Sequence, residues 1–184
     1  MSLVSGLSNL KLTEEEYQYL SSLSFVEQDY VDYLKAFRFR PEEQVHYHLD
    51  LETRNFELTV TGLWVETILY EVPLLALISE SYFLYVDTDW NHDGQYENAY
   101  TKAERLLKAG CKFSEFGTRR RRDLKTQEII MEAMLDAQKD YIKKCKDKSQ
   151  TPLGAVSGTS NVYLAKKHNI SPIGTVGEFL KRFE

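Results

Sequence analysis

Apolar positions recur at helical spacing through the first forty residues, and Leu12-Thr13-Glu14-Glu15-Glu16-Tyr17 supplies a helix start. Thr13 is placed to act as N-cap, Glu16 closes a capping box, and Leu12 and Tyr17 form the staple around them. Val26, Tyr30, Tyr33 or Leu34, and Phe37 continue the spacing to Arg40-Pro41, where proline favours an extended predecessor and ends the run. The rhythm then becomes alternation. Val45, Tyr47, Leu49 and Leu51 alternate with polar residues, Thr53-Arg54-Asn55 offers turn chemistry, and Phe56, Leu58 and Val60 alternate again, which predicts a hairpin. Its tyrosines and histidines read as sheet-face packing rather than as ligands.

From Pro73, "PLLALISESYFLY" predicts a mostly buried helix ending near Val86. The next helix carries Tyr96, Ala99 or Tyr100, Ala103, and Leu106 or Leu107 on one face and stops at Gly110. "CKFSEFGT" reads as a strand, followed by a helix from Leu124 to about Lys146 with Ile130, Met134, Ala137, Tyr141 and Cys145 on one stripe. "LGAVSGTS" is a second short strand, "NVYLAKKHN" a short helix and "SPIGTV" a third strand. Strand-helix alternation of this kind implies a parallel sheet or barrel, so the fold class is α/β. No internal repeat or low-complexity segment is present.

Composition narrows the classes of function. The 184 residues, 42% of them hydrophobic, suffice for one sizeable domain or one domain plus part of a second. A net charge of -5 argues against nucleic acid as the main partner, because affinity for phosphate backbones comes from basic residues. The apolar run Val72 to Ile78 is far below the roughly 20 residues of a membrane helix, and "MSLVSGLSNL" lacks the pattern of a signal peptide, so no membrane partner is expected. The expected compartment is the cytoplasm, with the nucleus as a further one. Cys111 and Cys145 are too far apart in sequence for a short ligand spacing, and Cys145 falls on a core stripe.

In parallel α/β folds the ligand sits at the carboxyl ends of the strands. Gly117-Thr118, Gly158-Thr159 and Gly174-Thr175 each close a predicted strand, the Gly permitting close backbone approach and the Thr offering a hydroxyl. Gly and Thr are also common in such turns. Arg119 to Arg122 follow the first pair and are expected in the first turn of the next helix, where positive charge is unfavourable without an anion. Successive helical residues fan at about 100° each, so at most two can face one ligand, and Arg119 is nearest the strand mouth. Phe116 could stack on a flat ring or belong to the core. A rival constellation is "DWNHDGQYENAY": Asp89, Asn91, Asp93 and Gly94 fit the early positions of a calcium loop, whereas Tyr100 stands where a bidentate Glu belongs. This leaves a calcium-binding helix-loop-helix module, or a dimerising or regulatory remnant, as alternatives.

The segments "LTEEEYQYL", "PEEQVHYH", "TILYEVPLLALISESYF", "FSEFGTRRRRDLKTQEIIMEAM" and "GTSNVYLAKKHNISPIGTV" together resemble the nicotinate phosphoribosyltransferases, in their fungal form. The resemblance implies a mixed α/β N-terminal part joined to the first strands of an irregular α/β barrel of the type II phosphoribosyltransferase kind, incomplete here. Its expected divisions are 1–65 for the N-terminal part, 66–110 for a helical connector and 111–184 for three βα units. The implied reaction couples nicotinate to 5-phosphoribosyl 1-diphosphate, giving nicotinate mononucleotide for NAD salvage by the Preiss-Handler route, in a homodimer assisted by ATP and Mg2+, with no cofactor held tightly. Phe116 would stack on the pyridine ring, Gly117 would allow its approach, and Arg119 would meet the phosphoribosyl side or the nicotinate carboxylate. Ser160 would replace an acid used by related nicotinamide enzymes and so avoid repelling that carboxylate. Thr175 matches a nicotinate contact, and Arg120, Thr159, Asn161 and Gly174 are secondary candidates. Where the family carries a phosphorylatable histidine, this chain has Glu178 at or next to the place. His168 lies at the far end of the preceding predicted helix and is not promoted to that role. The expectation is therefore an internal piece of the enzyme, inactive alone.

Overall fold

The computed structural model describes residues 3–174, so Thr175 and Glu178 lie outside the described residues. Contacts divide the chain into two compact units, Met1–Leu77 and Ile78–Glu184.

In the first unit, α1 (Glu14–Ser21) starts on the expected capping box. The Thr13 hydroxyl accepts from the Glu16 N–H at 3.2 Å, and the Glu16 carboxylate accepts from the Thr13 N–H at 2.8 Å. A second helix, α2 (Gln28–Ala36), is tied to α1 by the Tyr17 hydroxyl donating to Asp32 at 2.7 Å and by a Lys35–Glu14 ion pair at 3.0 Å. After the short helix α3 (Pro41–Gln44), β1 (Val45–Leu49) and β2 (Phe56–Val60) form an antiparallel hairpin in the register Val45 to Val60 and Leu49 to Phe56. The turn between them is held by the Asp50 carboxylate, which accepts from the N–H groups of Glu52 and Thr53. Tyr70 is the centre of this unit's core. Fully buried, it donates its hydroxyl to Gln44 at 2.9 Å, accepts from the Arg40 N–H at 2.8 Å, and packs with Leu7, Val45 and Leu74. The hairpin departs from expectation beyond Val45. Tyr47 is 75% exposed, with Leu49 and Phe56 also exposed, because two strands alone are covered only where Val45, Leu58 and Val60 meet that core.

A short helix α4 (Trp64–Thr67) and a 3-10 turn lead into α5 (Glu71–Tyr85), within which the division between units falls. The expectation of a mostly buried helix does not hold: only Leu74 and Ala76 of α5 are buried. Apolar residues surround its axis, and a neighbour on one side covers one face. The helical stretch Trp64–Tyr85 is 22 residues and, by length and composition alone, apolar enough to cross a membrane, which counting only Val72 to Ile78 concealed. It also carries Glu66 paired to Arg40 at 2.8 Å and Glu80 paired to Arg121 at 2.6 Å.

The second unit is built from α6 (Gln95–Lys108), β3 (Lys112–Glu115), α7 (Leu124–Asp147), β4 (Ala155–Thr159) and α8 (Val162–His168). Gly110, with φ 78°, ends α6 as its sequence position predicts. Tyr96 donates to Asp136, Tyr100 to Asp140 and Lys144 to Glu104, each pair 40 residues apart. That constant offset means α6 and α7 run in the same direction. The hydrogen bond to Asp140 pushes the Tyr100 hydroxyl up to about 12, with burial and the negative charge of Asp140 adding to it. Between the helices lie Ala103, Leu107, Met134, Ala137 and Val156. β3 pairs with β4 in parallel, Lys112 to Ala155 and Glu115 to Thr159, as the alternation implies. The expected third strand is reduced, among the described residues, to a single bridge between Thr159 and Pro172.

Gly154 gives this packing a test. A Cβ there would lie 2.3 Å from the Leu107 carbonyl oxygen and 2.6 Å from its Cα, backbone atoms that cannot rotate away. Gly154→Ala is expected to destabilise the chain by about 1–3 kcal/mol, read as a lower urea midpoint by circular dichroism. Gly6→Ala, where nothing lies within 4 Å, should leave the midpoint unchanged.

Candidate functional site

At the carboxyl end of β3 the chain does not enter a helix directly. Phe116 and Gly117 leave the strand, Thr118–Arg120 form a 3-10 turn, and α7 begins only at Leu124, with Asp123 as its N-cap. The Asp123 carboxylate accepts from the Thr126 N–H at 2.6 Å and faces His92 at 3.1 Å. Burial pushes the pKa of this carboxyl up, but the Thr126 and His92 hydrogen bonds outweigh burial and hold it below the usual aspartate value. The arginines therefore precede the helix rather than occupy its first turn. The unfavourable dipole term expected for them falls away, since the helix end already has its carboxylate.

What shapes this corner is Glu115, the last residue of β3, only 7% exposed. Its carboxylate accepts from the Thr159 hydroxyl at 2.6 Å, from the Gln127 amide at 3.1 Å, and from the Gly117 N–H. Its own carbonyl accepts from the Ser160 N–H at 2.9 Å. Gln127 continues the network: its amide also donates to Thr118 at 2.8 Å, while its carbonyl oxygen accepts from Arg121 at 3.1 Å. Asn161 donates to the Thr118 hydroxyl at 3.1 Å and accepts from the Leu164 N–H at 3.1 Å, capping α8. A buried carboxylate is costly unless its lone pairs are met, and here donors from β4, α7 and the turn meet them.

Arg121 and Arg122 are held by neighbouring side chains. Arg121, 18% exposed at its side chain, pairs with Glu80, and its carbonyl accepts from the Ser79 hydroxyl at 2.8 Å. Arg122 lies over the rings of Phe83 and Trp90, 5.3 and 5.4 Å from their centroids. Arg119 and Arg120 are exposed. The segment proposed as a calcium loop has other uses. Trp90 donates its Nε1–H to the Phe83 carbonyl at 2.9 Å, and Asn91 and Asp93 bond to each other. Among the described residues no group of three His, Cys, Asp or Glu side chains is placed to hold a metal ion.

The three Gly-Thr pairs are not equivalent. Gly117-Thr118 lies beyond its strand, Gly158-Thr159 forms the last two residues of β4, and Gly174 is exposed, with Thr175 outside the described residues. Thr159 is fully buried with its hydroxyl on Glu115, so it and Asn161 serve the framework. Phe116 is 40% exposed beside the buried Glu115, and Ser160 is exposed at the end of β4. Glu115 pairs with Thr159, the residue before Ser160, so Phe116, Gly117, Arg119, Arg120 and Ser160 share one end of the sheet. Sequence reasoning missed Glu115 and Gln127. The signal for Gln127 is its place on the stripe of Ile130 and Met134: a polar residue on a buried face needs a buried partner.

Two family models match the chain: the nicotinate phosphoribosyltransferase (NAPRTase) N-terminal domain over residues 2–79 and the nicotinate phosphoribosyltransferase (NAPRTase) family over residues 111–179. A Schizosaccharomyces pombe protein named "Probable nicotinate phosphoribosyltransferase" is 45% identical over 94% of this chain and 40% of its own length. The nicotinate phosphoribosyltransferase of Saccharomyces cerevisiae is 43% identical over 80% of this chain and 34% of its own. The crystal structure of the Porphyromonas gingivalis nicotinate phosphoribosyltransferase matches with a TM-score of 0.79 at 28% identity, over 94% of this chain and 40% of that one. The chain thus spans about 40% of the length of the relatives it resembles.

The framework role of Glu115 can be measured directly. Glu115→Ala removes the acceptor of three donors and is expected to destabilise the chain by about 3 kcal/mol, with faster amide exchange at Gly117. Glu115→Gln, which keeps one acceptor oxygen, should be milder in urea unfolding; the reverse order would contradict the network.

Proposed function

The chain belongs to the nicotinate phosphoribosyltransferase family, and on that footing we propose that its Phe116–Arg120 corner holds nicotinate and 5-phosphoribosyl 1-diphosphate for transfer of the phosphoribosyl group. In that reaction the pyridine nitrogen bonds to ribose C1 as the bond from C1 to the diphosphate oxygen breaks. An oxocarbenium-like sugar forms beside a departing anion, so the protein's task is to position the partners and neutralise charge. The observation that carries the reading is the contrast at the end of β3: Phe116 is 40% exposed, while Glu115 beside it is 7% exposed and anchored. The backbone is fixed and the ring is presented.

On this reading Phe116 stacks on the pyridine face, Gly117 keeps the approach open, and Arg119, with Arg120 beside it, meets the anionic side of the substrates. Ser160 adds no negative charge near the nicotinate carboxylate. ATP with Mg2+ would supply phosphoryl-transfer driving force. No described residue is assigned to hold them, since the described residues converge no metal-binding group and Glu178 lies outside them. The homodimer and the cytoplasmic setting belong to the same proposal.

The test joins this chain in frame to the remaining part of the Schizosaccharomyces pombe relative. The joined protein is expected to convert labelled nicotinate to nicotinate mononucleotide. Arg119→Ala should lower kcat/KM on the order of 10²–10³, and Arg122→Ala roughly tenfold. Equal losses, or a folded joined protein that makes no nicotinate mononucleotide, would overturn the assignment.

A further inference from the structure

The segment from Asp87 to Gly94 connects α5 to α6 and is tied to the arginine turn at two places. Trp90 stands edge-on to Phe83, with centroids 6.0 Å apart, and both rings meet the Arg122 guanidinium. His92, edge-on to Trp90 at 5.5 Å, reaches Asp123. Just before this connection, Ser79 and Glu80 hold the carbonyl and guanidinium of Arg121. Residues 121, 122 and 123 are held by separate sets of side chains from the 79–92 segment: Ser79 and Glu80, Phe83 and Trp90, and His92. On the other side of the exposed pair Arg119 and Arg120, Thr118 is gripped by Gln127 and Asn161.

We propose that Trp90 is a positioning residue for substrate binding. Together with Phe83 it fixes Arg122, and through Arg122 the carboxyl-terminal base of the turn that carries Arg119, without touching substrate itself. A pair of aromatic rings suits the task better than a second ion pair. Cation–π attraction leaves Arg122 with its full positive charge, so the anion at the turn still feels it, whereas a carboxylate partner would cancel it. Arg121, already neutralised by Glu80, contributes geometry alone. The turn thus combines two structural arginines, only one of them electrically cancelled, with two exposed ones. This inference rests on the reading that Arg119 meets an anionic substrate.

Trp90→Leu in the joined protein described above is expected to raise KM for 5-phosphoribosyl 1-diphosphate about tenfold, with kcat within about twofold. Trp90→Phe, which restores a ring but not the indole N–H, should recover most of the loss. In the 184-residue chain itself, Trp90→Leu should speed amide exchange at 119–122 while leaving the α6 amides unchanged. A KM unchanged by Trp90→Leu in a protein where Arg119→Ala raises it would overturn the positioning role, as would unchanged exchange at 119–122. If Arg119→Ala leaves KM unaltered, the anion-site assignment fails instead, and the exchange result still decides whether Trp90 holds the turn.

Discussion

One buried carboxylate organises the functional end of the second unit. Glu115 closes β3, and its oxygens gather a hydroxyl from β4, an amide from α7 and a backbone N–H from the departing turn. Removing a carboxylate from water costs several kcal/mol, and hydrogen bonds from fixed donors are what make the site tolerable. The requirement works in both directions. Because the charge must be satisfied, Thr159, Gln127 and Gly117 have little freedom, and the strand ends and helix face that carry them are held in one register.

From that anchor the division of labour among neighbouring residues follows. Thr159, Asn161 and Thr118 direct polar groups into the network, whereas Phe116 and Ser160, adjacent in sequence to anchored residues, are exposed. The arginine run is likewise divided: Arg121 and Arg122 are held by Glu80 and by aromatic faces, and Arg119 and Arg120 are exposed. A run of four like charges is thus not one feature with one purpose. Its cost in mutual repulsion is lowered where a carboxylate or aromatic face is available.

Features set by local chemistry were legible in the sequence. The Thr13–Glu16 capping box, the hairpin around Thr53-Arg54-Asn55, the Gly110 stop and the α7 stripe depend on neighbours within a few residues and came out as read. Misreadings arose where distant contacts decide. The α5 helix looks like core by composition, but its burial depends on what packs around it. The arginines look like a helix start, but Asp123 is the better N-cap and claims the helix for itself. The Gly-Thr pairs looked equivalent because the same letters recur, while strand ends are set by pairing, and β4 runs to its Thr where β3 stops two residues before its Gly. Glu115 could not be weighed from sequence, since its partners lie 12 and 44 residues away.

That distance recurs throughout the unit. Ser79 meets Arg121 across 42 residues, Tyr96 meets Asp136 across 40, Thr118 meets Asn161 across 43, and Glu128 meets Lys167 across 39. These contacts join elements some forty residues apart, as parallel pairing of β3 with β4 demands. Among the described residues of this unit no hairpin of near neighbours is available to start the process. A chain built this way must close loops of some forty residues before its contacts begin to compensate the lost entropy, which places it among slow-folding topologies whose open edges stay exposed longest during synthesis.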